Sequence, residues 1–388
     1  MNDFLNLESK LLEIEGSGLL RRRKTLSGSQ GTRITIDGKS FLNFASNDYL
    51  GIAESKEARD AVTKSLHEFG FGSGASHLVV GHQSPHDNFE KAMAEFLERE
   101  STLSFSSGYM ANLGILQSLA TKGDVIIADK LNHASLIDGV KLSGAESKRY
   151  PHCDLDALEK RLAASGQNKF VVTDSVFSMD GDIAPLPDIV GLCQKYEAIL
   201  IVDDAHGFGV LGENGRGICE HFELTQKQLP VLMTTLGKAL GGNGAVVSGD
   251  KKLVDYLIQV ARSYIYTTAM PASVAAGNLA NLKLLMDNNE RVEKLRQNIS
   301  YFKMGFEVRA LSKRVQLMPS NTAIQPVVIG DNQKLIVLNE KLESRGILVG
   351  AIRPPTVPKN SARLRVTISS GHSQTQINEL LDILAETI

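Results

Sequence analysis

Short apolar runs alternate with stretches of helical periodicity through the middle of the chain. Residues 125–128, 170–173 and 199–202 are apolar runs of strand length, whereas residues 85–97 place their apolar side chains at helical spacing. Strands that are apolar on both sides are typical of a mostly parallel sheet covered by helices. The pattern therefore predicts an α/β fold whose ligands bind beside the carboxyl ends of the strands.

Both ends of the chain depart from this alternation. Residues 5–20 predict an amphipathic helix, residues 32–39 predict a hairpin, and residues 275–310 predict a long helical segment. A smaller mixed unit follows, with segments at 323–329, 334–345 and 363–369 and a last helix from Ser373. We therefore predict an N-terminal arm (1–46), a large ligand-binding domain (47–276) and a small α+β C-terminal domain (277–388).

Composition narrows the class of protein. The 388 residues are 42% hydrophobic, and 42 Lys plus Arg balance 44 Asp plus Glu, so no net field attracts nucleic acid or an anionic membrane. Cys153, Cys193 and Cys219 have no CxxC spacing, which fits free thiols in a reducing cytoplasm. No run approaches about 18 apolar residues. We expect a soluble cytoplasmic protein with no membrane or nucleic-acid partner.

A lysine and a strand end carry the strongest chemical signal. Lys238 stands in a glycine-rich, uncharged run (234–242), and the apolar strand at 199–202 leads upstream into Asp203 and His206. An amine in such a run, with a carboxylate and an imidazole at a strand end, suits a site for pyridoxal phosphate. The lysine would form a Schiff base, and the carboxylate would keep the pyridine nitrogen protonated.

Three further segments supply the other groups that this cofactor needs. Residues 103–112 predict a strand, a Ser-Gly turn and a helix whose first N–H groups, near Gly108, would hold the phosphate. His133 follows the strand at 125–128, and either His133 or Tyr109 would stack on the pyridine ring. Ser178 follows another strand and would donate to the ring hydroxyl or the phosphate.

Two other motifs suggest different chemistry. Residues 207–212 match GxGxxG after a strand, as in a dinucleotide-binding dehydrogenase, but residues 213–217 do not continue as a helix. His77, His82 and His86 lie in a glycine-rich loop without an acidic or cysteine cluster that completes a known ligand pattern. We therefore predict no metal and assign these histidines loop and cap roles.

With these motifs in view, the chain resembles the α-oxoamine synthases, which are pyridoxal phosphate enzymes of fold type I. The likeness runs from about Arg21 to the last helix. It implies the decarboxylative condensation of an amino acid with an acyl thioester. The stretch 351–358, with Arg353, and the stretch 362–367 are most like those of members that join L-alanine to a pimeloyl thioester. The thioester would be carried on coenzyme A or on an acyl carrier protein. The alternative is a member that uses glycine or a different acyl chain.

The resemblance implies a role for each matching residue. Lys238 would carry the cofactor, Asp203 would contact the pyridine nitrogen and His206 the ring hydroxyl, while His133 would stack on the ring as a fourth catalytic residue. Further cofactor contacts would come from Gly108, Tyr109, Ser178 and Thr235. The positions that match substrate-binding residues are Arg21, Asn47, His133, Arg353, Thr356 and Arg365, with Arg365 holding the amino-acid carboxylate.

The resemblance also implies a homodimer. Thr267 and Thr268 match a stretch that reaches the phosphate bound by the other subunit, and the apolar positions of the arm, such as Leu12, would bury against a partner. One position departs from the family, since Asp174 stands where close relatives have glutamate. The shorter side chain leaves the role of Asp174 open.

Overall fold

The computed structural model describes residues 5–17, 19–166 and 168–388; the predicted arm therefore has its first four residues and residue 18 outside the described residues. Helices and strands alternate over most of the chain. The strands are β1 (Leu26–Ser27), β2 (Arg33–Ile36), β3 (Lys39–Phe44), β4 (Ser101–Phe105), β5 (Val125–Asp129), β6 (Glu146–Tyr150), β7 (Lys169–Asp174), β8 (Ala198–Asp203), β9 (Val231–Thr235), β10 (Ala245–Gly249), β11 (Gln316–Leu317), β12 (Ile324–Gly330), β13 (Ile347–Ile352) and β14 (Ala362–Thr367).

The helices are α1 (Leu7–Gly16), α2 (Lys56–Phe69), α3 (Ser84–Phe96), α4 (Gly108–Leu119), α5 (Ala134–Ser143), α6 (Leu155–Ala163), α7 (Leu186–Lys195), α8 (Ile218–His221), α9 (Lys251–Val260), α10 (Arg262–Ile265), α11 (Ala272–Asp287), α12 (Glu290–Val308), α13 (Asn332–Ser344) and α14 (Gln374–Thr387). A π-helical turn (His77–Gly81) and a 3₁₀ turn (Leu311–Lys313) complete the regular structure of the described residues. None of the helices in the described part of the chain is both long and apolar enough to cross a membrane.

The central sheet has the strand order β4-β10-β9-β8-β7-β5-β6. Strands β5 to β9 pair in parallel, and β10 pairs antiparallel with both β9 and β4. Only β10 therefore runs against the other six strands. The carboxyl ends of those six strands meet at one edge of the sheet, as the sequence pattern predicts.

Both faces of this sheet are buried. Along β5, Val125 and Ile127 belong to one hydrophobic core, and Ile126 between them belongs to another. This alternation follows from the two-residue period of a strand. Helices α4, α5, α9 and α10 supply side chains to the second core. The mostly parallel α/β fold predicted from the sequence is confirmed.

A second sheet joins the two ends of the chain in the order β1-β2-β3-β13-β14-β12-β11. The predicted hairpin forms from β2 and β3, and β3 pairs in parallel with β13, so that Phe44 lies opposite Val349. Strands β1 to β3 thus lie within the predicted arm and also in one sheet with the strands of the predicted small domain. The domain boundaries at 46 and 276 stay a prediction, and α11 spans the second of them.

The helical segment expected at roughly 275–310 is confirmed, and it consists of two helices rather than one. Helix α11 ends at Asp287, and α12 begins at Glu290 after Asn288, whose backbone is extended. Asparagine side chains compete with helical hydrogen bonds, which explains the break at two consecutive asparagines. The helix expected at 5–20 is shorter, because α1 ends at Gly16.

An ion-pair clamp holds the loop that follows β7. His152 Nδ1 lies 3.1 Å from Asp129 Oδ1 at the end of β5, and His152 Nε2 lies 2.8 Å from Asp182 Oδ2 in that loop. The imidazole also packs edge-on against Phe177, with ring centroids 4.3 Å apart. Burial opposes a charge on this ring, but the hydrogen bonds to Asp129 and Asp182 outweigh burial and raise the pKa of His152 to about 12.

This clamp predicts a pH-dependent contribution to stability. Because the folded pKa lies above the unfolded value, the contribution is complete below about pH 6.5 and is lost as the pH rises towards about 12. We expect His152→Asn to lower Tm by several degrees near neutral pH, and the difference from the unsubstituted protein to shrink in alkali. Thermal unfolding across this range checks it, with the exposed His67→Asn as control. A difference that does not change with pH would contradict the clamp.

Candidate active site

A cavity of about 160 Å³ opens at the carboxyl ends of the central strands. Its walls come from the first turn of α4, the start of α5, and the ends of β7, β8 and β9 together with the loops that follow them. The lining residues are Gly108, Tyr109, His133, Ser135, Asp174, Asp203, Ala205, His206, Met233, Thr235 and Lys238. Seven of the residues that the sequence predicts for the site are therefore brought together.

Lys238 extends its amine into this cavity from the loop between β9 and β10. Its Nζ lies 2.7 Å from His206 Nε2. Burial disfavours the ammonium form and lowers the pKa of Lys238 to about 8, although the negative charges of Asp203 and Asp174 oppose this shift. A substantial fraction of the amine is therefore neutral, and nucleophilic, near physiological pH.

Asp203 is the last residue of β8 and is almost fully buried. Its Oδ2 accepts from Asn112 Nδ2 at 2.7 Å, and its Oδ1 accepts the N–H of Ala205 at 3.0 Å. Asp204, the next residue, accepts the N–H of Ile218 at 3.0 Å, outside the cavity lining. Asp203, rather than Asp204, is the carboxylate that can contact a ligand.

The start of α4 presents backbone N–H groups to the cavity. Ser107 caps the helix by accepting from Met110, whereas Gly108 and Tyr109 occupy the first turn, where N–H groups lack partners within the helix. A Cβ on Gly108 would lie 3.7 Å from Thr235 Oγ1, so the helix start and the end of β9 face each other. This arrangement suits a phosphate group.

Tyr109 and His133 form a wall of the cavity with their rings nearly perpendicular, at a centroid separation of 6.5 Å. The hydroxyl of Tyr109 donates to Asp138 on α5, which holds this ring to one side. His133 caps α5, and its main-chain N–H donates to Asp174 Oδ2 at 2.8 Å. Both rings line the cavity, and the ring of His133 is likewise held, with its Nδ1 2.7 Å from Ser135 Oγ.

The contact from His133 also gives Asp174 a place in the site. Asp174 ends β7 directly beside Asp203 on β8. Burial, together with the negative charge of Asp203, raises the pKa of Asp174 well above its usual range. The aspartate reaches the start of α5 and fixes the position of His133.

Arg365 on β14 brings the second sheet to the site. Its guanidinium is buried and donates to Ser178 O at 2.6 Å, to Asn47 Oδ1 at 3.1 Å and to Thr367 Oγ1 at 3.1 Å, and it lies 3.4 Å from Tyr49 Oη. All four of these partners are neutral oxygen atoms. A carboxylate ligand would supply the negative charge that the guanidinium lacks among these partners.

The remaining predicted residues lie outside the cavity lining. Ser178 contributes its carbonyl oxygen to Arg365, and its side chain does not line the cavity. Arg21 is exposed, and Thr356 is exposed on a turn in which its N–H donates to Arg353 O at 3.1 Å. Thr267 Oγ1 donates to Ser263 O, and Thr268 forms a bridge with Ser76. The roles predicted for these residues stay predictions.

The two competing motifs have structural explanations. Asp204 fills the centre of the loop at 207–217, and a Cβ on Gly207 or Gly217 would collide with its carboxylate, so packing accounts for these glycines. His77, His82 and His86 lie close together. His86, however, accepts the Gln83 N–H through Nδ1 in the capping box of α3 and donates to Met270 O through Nε2. The cap role predicted for this histidine is confirmed.

Known proteins with similar sequences belong to a family whose chemistry agrees with the residues of this cavity. A family model described as "Aminotransferase class I and II" matches residues 39–384. An 8-amino-7-oxononanoate synthase from Dechloromonas aromatica (strain RCB) is 48% identical over 390 residues, which cover 100% of this chain and 99% of that protein. The chain belongs to the class I and II aminotransferases, as an α-oxoamine synthase.

Solved structures of other α-oxoamine synthases share the fold. A serine palmitoyltransferase from S. paucimobilis with pyridoxal phosphate and myriocin bound is 29% identical, with a TM-score of 0.91, over 98% of this chain and 96% of that one. The 8-amino-7-oxononanoate synthase of Francisella tularensis is 35% identical, with a TM-score of 0.78, over 89% of this chain and 97% of that one. The family and fold type predicted from the sequence are confirmed.

The side chains of this α-oxoamine synthase fit pyridoxal phosphate. The aldehyde of this cofactor requires an amine, its pyridine nitrogen requires a buried carboxylate, and its phosphate suits the start of a helix. One cavity contains all three of these protein groups. Sequence reasoning missed two buried residues that support them, Asn112 beside Asp203 and Tyr49 beside His206.

The position of Lys238 predicts that it alone carries the cofactor covalently. We expect Lys238→Ala to abolish turnover and to prevent borohydride from fixing pyridoxal phosphate to the protein. Peptide mapping after reduction checks this, with the exposed Lys251→Ala as a control that keeps the label. A labelled peptide that lacks residue 238 would refute the assignment.

Proposed function

We propose that this α-oxoamine synthase has the activity of an 8-amino-7-oxononanoate synthase, which serves biotin biosynthesis. The reaction joins Cα of L-alanine to the carbonyl carbon of a pimeloyl thioester and releases the thiol and carbon dioxide. The observation that carries this proposal is the near-complete match to relatives of that name, 47 to 49% identical over 93 to 100% of their length. The predicted alternative, a member using glycine or another acyl chain, is an outcome of the test below.

Pyridoxal phosphate is the cofactor, and when bound it acts as an electron sink for negative charge at Cα of an amino acid. Lys238 would hold it, and Asp203, kept in place by Asn112, would keep the pyridine nitrogen protonated. Gly108 and Tyr109 would donate main-chain N–H groups to the phosphate, with Thr235 opposite them.

The amine of Lys238 is also suited to move the proton at Cα. A pKa of about 8 lies close to physiological pH, where a general base or acid is most effective. His206 lies within hydrogen-bond distance of this amine and would meet the ring hydroxyl from the same side. His133 would cover one face of the ring, held there by Asp174.

Arg365 would bind the carboxylate of alanine. Its planar guanidinium is held from three sides by Ser178, Asn47 and Thr367, so little side-chain entropy remains to be lost on binding. Fixing the carboxylate orients the bond at Cα that has to break. Asn47 contacts Arg365 and therefore stands at the same substrate position.

We also propose that Arg21, Arg353 and Thr356 bind the acyl thioester at the mouth of the site. Arg21 and Thr356 are exposed, as a large thioester requires. The family likeness supports these assignments. Coenzyme A or an acyl carrier protein would deliver the acyl group, and a cytoplasmic location stays a prediction.

A homodimer is proposed from the exposed apolar side chains near Thr267 and Thr268. Thr268 pairs with Ser76, and the loop around Ser76 and the turn before Thr267 expose large apolar residues, an unusual surface for a monomer. These residues are Phe71 (85% exposed), Val79 (72%), Val80 (74%) and Tyr266 (70%). The apolar side chains of α1, including Leu12, are exposed as well.

The proposed substrates predict a specific preference in a matrix of small amino acids against acyl thioesters. We expect L-alanine with a pimeloyl thioester to exceed each other pair by at least about tenfold in kcat/KM, a difference that pocket contacts commonly supply. Thiol release measures the rate, and Lys238→Ala provides the blank. A preference for glycine or for another acyl chain would assign the enzyme to a different α-oxoamine synthase.

The proposed dimer predicts complementation between two defective variants. Lys238→Ala and Thr268→Glu should each have little activity, and a hybrid of the two should contain one site without either defect. After complete subunit exchange, half of the dimers are hybrids, so about a quarter of the activity should return. Activity of the mixture checks this, with two different affinity tags purified in sequence to prove exchange and sedimentation to establish the oligomeric state. A fully active monomer, or exchange without recovery, would contradict a shared site.

A further inference from the structure

Four side chains form a continuous hydrogen-bonded chain that ends at the reactive amine. Lys238 Nζ lies 2.7 Å from His206 Nε2, His206 Nδ1 lies 2.6 Å from Tyr49 Oη, and Tyr49 Oη lies 3.1 Å from Asn47 Oδ1. Tyr49 has no exposed surface, and His206 is almost fully buried. The two central side chains are therefore shielded from solvent, whereas Asn47 and Lys238 at the two ends of the chain are partly exposed.

The number of protons in this chain is limited. Burial lowers the pKa of His206 well below its usual value, so the imidazole is neutral and has one N–H group. Burial likewise raises the pKa of Tyr49, so the phenol keeps its single proton. Only two hydrogen-bonding arrangements then satisfy both residues.

In the first arrangement, the ammonium form of Lys238 donates to His206 Nε2. His206 must then donate through Nδ1 to Tyr49 Oη, and Tyr49 donates in turn to Asn47 Oδ1. In the second arrangement, Tyr49 donates to His206 Nδ1, and Nε2 carries the proton and donates towards the cavity. A hydroxyl group can reverse its role in this way because it both donates and accepts.

We propose that Tyr49 is a positioning residue that sets the tautomer of His206 and thereby the proton affinity of Lys238. The loop after β3 would thus control the amine without contacting it. The catalytic meaning of this control rests on the proposed function, in which Lys238 holds the cofactor and moves a proton at Cα.

Other charged and titratable groups also face Lys238, so the test must leave them in place. They are His133, Asp174, Asp203, His206 and Arg365. Replacing Tyr49 by phenylalanine removes one hydroxyl and none of these groups. Arg365 loses its contact of 3.4 Å with Tyr49 but keeps its bonds to Ser178, Asn47 and Thr367.

Tyr49→Phe should lower the pKa of Lys238. Without the hydroxyl, an N–H group at His206 Nδ1 would be buried without an acceptor. A buried N–H group without an acceptor costs more free energy than an unprotonated nitrogen at the same place, so the Nε2–H tautomer is favoured. That N–H points at the ammonium group and destabilises it. We expect a fall of at least about half a pH unit, which makes the amine about threefold more reactive near neutral pH.

The measurement is trace acetylation of the full-length, cofactor-free protein between about pH 6 and about pH 10, a window that spans the expected change. Mass spectrometry of the peptide containing Lys238 gives its reactivity, and circular dichroism confirms the fold. Tyr150→Phe, an equally buried tyrosine outside the site, is the matched control and should leave the profile unchanged. Neither alanine nor a thioester is present, so a wrong substrate assignment would not affect this result.

Asn47→Ala gives a second test of the same chain. The side-chain oxygen of Asn47 also accepts from Arg365, which keeps its bonds to Ser178 and Thr367 when that oxygen is removed. Loss of the oxygen should turn the Tyr49 proton towards His206 Nδ1, which lowers the pKa of Lys238 in the same direction. The double variant should then show no greater fall than Tyr49→Phe alone, because both changes act through one histidine. Additive shifts, or an unchanged profile in folded Tyr49→Phe, would overturn the proposal.

The tautomer can also be read in the unsubstituted protein, whatever the stability of the variants. NMR of protein labelled with ¹⁵N-histidine reports the tautomer, and the His206 signal is assigned by its loss in His206→Asn. We expect His206 to be protonated at Nδ1 while Lys238 is charged. A protonated Nε2 under those conditions would overturn the proposal as well.

Discussion

The common direction of six strands in the central sheet is the constraint on which the site depends. Parallel strands end at one edge, and the ends of β7, β8 and β9 bring Asp174, Asp203 and Thr235 within the lining of one cavity. Strand β4 shares this direction, although its neighbour β10 runs the other way, and so the first turn of α4 opens at the same edge. Each group comes from a different unit of the chain, and the sheet sets their spacing.

Burial then determines the chemistry of these groups. The same loss of water lowers the pKa of Lys238 and raises that of Asp174, which shifts both towards their neutral forms. The buried guanidinium of Arg365 is surrounded by neutral oxygen atoms. Charged groups in such a setting interact strongly with a ligand, because little solvent screens them. An anionic substrate would offset part of the cost of burying Arg365.

The sequence predicted the site residues that follow the ends of strands. It missed residues that support the site from distant positions in the sequence. A local sequence pattern marks each of these predicted residues. A glycine-rich run surrounds Lys238, and an apolar strand leads into Asp203 and His206. The role of Tyr49 was missed because it is 157 positions from His206 and lies in the loop after β3, and no local sequence pattern connects that loop to the site. The split between α11 and α12 was missed for a different reason, since apolar spacing continues across two asparagines that break the backbone pattern.

The pairing of β3 with β13 has a consequence for the order of synthesis. Residue 44 lies opposite residue 349, so one edge of the amino-terminal hairpin has to wait until about 300 further residues have left the ribosome. The central sheet contains no strand from this late region and can assemble first. The nascent chain would therefore contain a folded core beside an unpaired strand edge, the kind of surface that chaperones recognise and that invites aggregation. Completion of the site would wait for the same late region, because Arg365 lies on β14.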